Sequence, residues 1–288
     1  MRTKFLIALC IACLLSGCKA PDTLRTAAKT GTTNTAGWYG ERLKGMQRDI
    51  YEAFAEAAQT PYTEELTPIR LADASCQPAM EEVSEVYQIY LYDHPELFWL
   101  GGSYRYGCEE DPDKITSVGV ISIFASEADR EAAQEAFDAA AQETYAQIAG
   151  EETDAAKAEK LCEILSSQVA YEEEAVYDES RAQAHSAYGA LVGRSAVCDG
   201  YALACQYVLS MAGIPCLCIP GESNVMAHVW NTAYWDGTWH EFDVTWDALQ
   251  RQQNGGQKLQ YFDRSTVQMG EDHIREPQGA AAMAPEAP

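Results

Sequence analysis

The most restrictive stretch of the sequence is 227–247, where Asp236-Gly237 separates two runs rich in aromatic and β-branched residues. Asp-Gly supplies the left-handed residue pair of a tight two-residue turn, so the stretch predicts an antiparallel hairpin. With Asp236 and Gly237 as the loop, Trp235 opposes Thr238, Trp230 opposes Asp243 and His228 opposes Thr245. Opposed residues share a face, which makes His228 and Asp243 diagonal neighbours, roughly 7 to 8 Å apart at the backbone. An acid at that spacing can orient an imidazole. His240 has the opposite parity and is predicted to point to the other face, and a one-residue slip would exchange the two assignments.

Upstream, the pattern turns helical at Cys198, with Ala202, Cys205 and Leu209 on one side and Gly213-Ile214-Pro215 as the stop. A cysteine that opens a helix meets unpaired N–H groups and the positive end of the helix dipole, and both favour a thiolate over a thiol. Most free cysteines are core residues instead. Cys162 reads as one, in the stripe Ala158, Cys162, Leu165, Val169 of a helix capped by Thr153. Cys198, His228 and Asp243, in that chain order, supply a nucleophile, a base and the acid that orients it. The Cys198 backbone N–H is the natural oxyanion donor, with Tyr188 and Gln183 as side-chain candidates.

The remaining chemistry-bearing residues give weaker signals. Cys205, Cys216 and Cys218 lack the second spaced pair of a thiolate metal site, so no metal and no cofactor are expected. His185 and His273 show no readable partner. Four of the six tryptophans fall between Trp230 and Trp246, where they either pack the sheet or wall a cleft.

The stretch from Ser186 to Asp247 resembles the core of the transglutaminase-like superfamily, in the version found in exported bacterial proteins. The matching pieces are Cys198-Asp199-Gly200-Tyr201-Ala202, the Gly213-Ile214-Pro215 turn, His228-Val229-Trp230-Asn231, and Asp236-Gly237-Thr238-Trp239 running into Asp243-Val244-Thr245-Trp246-Asp247. Tyr261-Phe262 and Asp272-His273 resemble that family's trailing segment. Two positions depart from the pattern: His240 stands where an aromatic is frequent, and Ala248 where a second acid is common. The resemblance implies an α+β, papain-like fold with the nucleophile helix packed on an antiparallel sheet. It also implies acyl chemistry on a Cys198, His228, Asp243 triad. Calcium activation has no support, since no acidic cluster resembles an EF-hand loop.

The ends of the chain speak of location. Arg2 and Lys4 precede an apolar run from Phe5 to Leu15, too short to span a bilayer, and Leu15-Ser16-Gly17-Cys18 resembles a lipoprotein cleavage box. The expectation is a signal peptide over 1–17 and a lipid on Cys18, which anchors an extracytoplasmic chain to a membrane. Residues 18–37, rich in Thr, Ala and Gly, read as a flexible tether, and 277–288 as a disordered tail. Between them lie 38–150, a mixed helical and β region without readable chemistry, and 151–276, the candidate catalytic domain. In the former, His94 before Pro95 reads as a packing or turn residue. Cys76 and Cys108 are an open candidate disulfide for an exported chain.

With 20 Lys and Arg against 44 Asp and Glu, the net charge of −24 argues against nucleic acid as a partner. The expected activity is thiol-dependent acyl transfer or amide hydrolysis on envelope proteins or peptides, with water or an amine as acceptor left open. The alternative from another class is a non-catalytic peptide-binding or scaffold lipoprotein on the same fold.

Overall fold

The computed structural model describes residues 8–9, 37–72, 76–109, 111, 114–224, 226–255 and 258–288. Cys18, the tether up to residue 36 and all of the leader except 8–9 lie outside the described residues. No helix among the described residues is long and apolar enough to cross a membrane. The chain divides into one unit that ends at Glu131 and a second from Ala132 to Pro288. That division falls inside a helix rather than at Gly150, the boundary the sequence suggests.

In the first unit, helices α1 (Met46–Ala57) and α2 (Met80–Tyr92) accompany a hairpin of β2 (Leu100–Cys108) and β3 (Ile115–Ser122), with the short β1 (Thr67–Pro68) along β3. Phe54, Tyr87, Tyr90, Trp99 and Tyr104 are fully buried and form an aromatic core. Asp93 fastens the entry to this unit, accepting from the Tyr39 and Gly40 N–H groups at 2.9 and 2.6 Å and from the Tyr51 hydroxyl at 3.1 Å. His94 lies 2.8 Å from that same hydroxyl and 3.1 Å from Glu96, so it packs and fixes the turn, as its place before a proline suggests. The candidate disulfide is not formed. Cys76 is an exposed thiol ahead of α2 and Cys108 a half-buried one at the end of β2, and both are free.

Helix α3 (Glu127–Ile148) starts where Ser126 accepts from the Asp129 N–H at 3.2 Å and crosses into the second unit. Helix α4 (Asp154–Gln168) is capped by Thr153, whose hydroxyl accepts from the Ala156 N–H at 3.1 Å. Its stripe Ala158, Cys162, Leu165 and Val169 is buried. Strand β4 (Ala170–Tyr171) pairs in parallel with β5 (Ser195–Ala196), which feeds α5 (Cys198–Met211). Helix α5 packs on a four-stranded antiparallel sheet of β6 (Cys216–Ser223), β7 (Met226–Trp235), β8 (Thr238–Phe242) and β9 (His273–Arg275), in the order β9-β6-β7-β8. This is the α+β arrangement expected, a nucleophile helix laid on an antiparallel sheet.

Two expectations are corrected. The second arm of the hairpin does not run on through Asp247. It ends at Phe242, and α6 (Val244–Asn254) begins immediately after, capped by Asp243. The C-terminal segment is not a loose tail. Residues 279–283 form a short helix α8, after the single turn α7 (Thr266–Met269), and Ala280, Ala281, Ala284 and Ala287 are buried. Arg275 holds it by donating to the carbonyls of Ala284 and Pro285 at 3.0 and 2.9 Å. Small alanines that carry no side-chain entropy cost fit a shallow seat that composition alone does not reveal.

Candidate active site

The hairpin turn forms as its dipeptide requires. Asp236 and Gly237 have φ of +51° and +88°, and Trp235 pairs with Thr238. The register holds down to the Asn231–Phe242 pair. His240 therefore turns away from His228, stacks on Trp235 at 4.3 Å between ring centroids and hydrogen-bonds Asp263 at 2.6 Å.

Asp243 sits one residue past the strand. Its Oδ1 accepts from the N–H groups of Thr245 and Trp246 at 2.8 and 3.2 Å, the cap that starts α6. Its Oδ2 lies 2.7 Å from His228 Nε2. One buried carboxylate thus starts a helix with one oxygen and orients an imidazole with the other. With Nε2 spent on Asp243, the nitrogen that remains for a partner is Nδ1, and the Cys198 thiol is in hydrogen-bonding contact with this ring. The structure brings together Cys198, His228 and Asp243.

Electrostatics follow from that geometry. Burial by itself lowers the proton affinity of His228, but the Asp243 charge and hydrogen bond, with Cys198 behind them, raise its pKa to about 10. Burial by itself raises Asp243, yet the charges and hydrogen bonds of His228 and His273 hold it well below the ordinary carboxylate range. The imidazole keeps its proton and the acid stays ionised.

Helix α5 is placed by close backbone approach. A Cβ on Gly200 would stand 2.3 Å from the Ala184 carbonyl oxygen and 3.1 Å from that of Ser186, so only glycine lets segment 184–186 lie against the first turn. The Val197 N–H donates to the same Ala184 carbonyl at 3.0 Å. Gly200→Ala is expected to lower stability by about 1–3 kcal/mol, as an overpacked contact does, although alanine is the better helix former. Thermal unfolding of that variant tests it, and an unchanged midpoint would show that the approach relaxes freely. On the sheet side, Asn231 Nδ2 donates to the carbonyls of Ala202 and Leu217 at 3.1 and 3.2 Å, clamping α5 to the sheet beside the triad.

Two further histidines, without a readable partner in the sequence, belong to the site. His273, from β9, is buried, with Nε2 3.0 Å from the same Asp243 Oδ2 and Nδ1 2.6 Å from Asp272. Rings of Trp230, Trp246 and Tyr261 surround it, with centroids at 5.1, 5.6 and 5.7 Å. These aromatics pack the acid–histidine pair, and the Trp230 indole is itself held by buried Glu241 at 2.6 Å. His185 is paired with Asp199, the neighbour of Cys198, at 2.9 Å. In sequence, an acid placed directly beside a candidate thiolate was the available signal that a cation should lie near.

The oxyanion candidates fall differently. Gln183 has an exposed side chain and its carbonyl accepts from Ser186, while Tyr188 is half-buried at the start of the turn 189–193. Tyr171, on β4, lies in the electrostatic surroundings of Cys198 and Asp243. Cys205, Cys216 and Cys218 are buried in the core, with the Cys218 thiol donating to Gln206 at 3.0 Å. Burial pushes the Cys162 and Cys216 thiols up, which keeps them protonated and poor metal ligands. The ligand atoms of His228, Asp243 and His273 lie within 4.8 Å of one another. Both Nε2 atoms, however, already converge on one carboxylate oxygen, which occupies them as hydrogen-bond partners of that acid.

Known proteins resemble part of this chain. Residues 142–244 match the model of the transglutaminase-like superfamily. A stretch of 92 residues is 30% identical to the kyphoscoliosis peptidase of Mus musculus, covering 28% of this chain and 14% of that protein. For the kyphoscoliosis peptidase of Homo sapiens the identity is 33% over 63 residues, covering 18% of this chain and 10% of that one. The chain thus spans only a small part of the length of the curated relatives it matches. Among solved structures, a TGase crystal structure aligns with 49% of this chain and 44% of its own, at 14% identity and a TM-score of 0.37. The matched span, residues 142–244, holds Cys198, His228 and Asp243, so the similarity to the transglutaminase-like superfamily falls on the candidate site.

Proposed function

We propose that this chain is a thiol-dependent acyl-transfer enzyme in which Cys198 is the nucleophile, His228 the base and Asp243 the orienting acid. The observation that carries the reading is the continuous contact from the Cys198 thiol through the His228 ring to a buried Asp243 that caps α6 by accepting from two N–H groups. The thiol proton already rests on His228, and the Cys198 thiolate attacks the acyl carbon of an amide. The C–N bond then breaks, and His228 returns the proton to the leaving amine. Water or a second amine next attacks the thioester, the C–S bond breaks, and the thiol is restored. The Cys198 N–H, at the first position of α5, is one of the helix donors left without an intrahelical partner and suits the developing oxyanion. The lipobox-like Leu15-Ser16-Gly17-Cys18 supports an extracytoplasmic, lipid-anchored enzyme with proteins or peptides of the cell envelope as substrates.

Iodoacetamide labelling of the purified protein from pH 5 to 9, with sites located by peptide mass spectrometry, tests the nucleophile. Cys76, an exposed thiol in the same molecule, is the internal reference. At pH 6 Cys198 is expected to label far faster than Cys76, and in His228→Ala to fall to the Cys76 profile. Equal rates in the wild-type protein would overturn the reading and favour a binding module. A fluorescent primary amine added with candidate peptides then separates the two acceptors: incorporation marks a transferase, and release without incorporation a hydrolase.

A further inference from the structure

Cys198 opens α5 with an acid as its immediate neighbour, and a carboxylate beside a thiolate works against it. Asp199 is only 5% exposed, so water does little to screen its charge. Its counterpart is His185, on the segment that wraps the start of the helix. The Nδ1 atom lies 2.9 and 3.2 Å from the two Asp199 oxygens, and Nε2 lies 3.0 Å from the Ala175 carbonyl oxygen. A carboxylate and a carbonyl can only accept. A neutral imidazole has one N–H and could satisfy one of them, whereas an imidazolium satisfies both.

We infer that His185 is a positioning residue that holds a positive charge beside the nucleophile, cancelling Asp199 so that the Cys198 thiolate can form. The inference rests on Cys198 being the nucleophile of the proposed reaction. The groups facing Cys198 are His228 from β7, Tyr171 from β4 and His185, with Asp199 beside it on its own helix. Those facing His185 are Asp199, the Ala175 carbonyl, Glu172 and Cys198. Burial opposes a charge on His185, but Asp199, the Ala175 carbonyl and Cys198 raise its pKa to about 9. The pair also ties segment 173–185 to the helix, and Asp199 accepts from the Gly200 N–H at 2.9 Å. A merely structural tie predicts a different result from the one expected here.

The test follows the pH midpoint of Cys198 alkylation in the full protein, His185→Gln, Asp199→Asn and the double variant, each with its unfolding midpoint recorded. His185→Gln leaves Asp199 uncompensated and should raise the thiol midpoint by about one pH unit, a tenfold loss of thiolate. The double variant removes both charges and should restore the wild-type midpoint. Asp199→Asn should not raise it. No shift in His185→Gln, or a shift that persists in the double variant, would overturn the inference. A second measurement needs no variant. The His185 imidazole is followed by NMR before and after Cys198 is capped with a neutral carboxamidomethyl group. Its titration midpoint should fall on capping, and an unmoved midpoint would count against coupling. Failure of the proposed function is read separately, as wild-type Cys198 labelling no faster than Cys76. The difference between wild type and His185→Gln remains measurable in that case.

Discussion

Asp243→Asn should leave the protein folded and remove its Cys198 chemistry. The asparagine oxygen can still cap α6 through the Thr245 and Trp246 N–H groups, so the helix start is preserved. The atom that replaces Oδ2 is then an NH2 group facing the Nε2 atoms of both His228 and His273. A donor at that point forces Nε2 of His228 to accept, which moves the ring proton to Nδ1, the nitrogen that must take the thiol proton. The wrong tautomer at a triad histidine costs about 10⁴ in turnover. Alkylation at pH 6 should fall by about two orders of magnitude, because a thiol near the reference pKa of about 8.5 is scarcely ionised there. The measurement pairs the labelling rate with the unfolding midpoint. Retained fast labelling would show that Asp243 does not set the tautomer, and a collapsed midpoint would show that it acts mainly as a cap.

The second large effect is a loss of stability on the alkaline side. His185 and His228 have folded-state pKa values of about 9 and 10, both above the unfolded reference of about 6.5. A group whose pKa rises on folding binds its proton more tightly in the native state. Its contribution is complete below the unfolded value and is lost as pH rises through the folded one. Asp243 has the opposite sign: its stabilisation is present above the unfolded carboxylate value and persists until pH falls through its depressed folded value. Between about pH 7 and 10 the unfolding free energy should therefore fall by several kcal/mol, at roughly 1.4 kcal/mol per pH unit for each such proton. The measurement belongs in Cys198→Ala, where no thiol proton enters the balance. Denaturant titrations at intervals through that window should show the decline, and adding His185→Gln should flatten it by about one proton. A flat profile in Cys198→Ala would mean that Asp199 and Asp243 alone do not hold the two imidazoles as cations.

Much of the site was legible because it depends on neighbours in the chain. Turn chemistry at Asp236-Gly237 set the hairpin register, and the parity argument assigned His240 and His228 to opposite faces. The caps at Thr153 and Ser126 and the apolar stripe of α4 follow the same short-range logic. Asp243 shows where that logic stops. Alternation predicted its face, but the strand yields to a helix at this residue. Asp-Val-Thr-Trp can extend a strand or cap a helix, and only packing against α4 and the segment around Tyr261 selects the cap.

The chain by itself determined the candidate triad residues, the helix that presents Cys198 and the hairpin that carries His228, because periodicity, caps and turns act over a few residues. Tertiary structure alone decided which charges meet. His273 reaches Asp243 across 30 residues, His185 reaches Asp199 across 14, and Arg275 gathers Glu241 and the C-terminal alanines. None of these pairs lies on one strand or one helical face. Their distances follow from how buried segments pack, and a buried polar or charged group without a partner would cost several kcal/mol, so the fold that forms is one in which these groups meet partners.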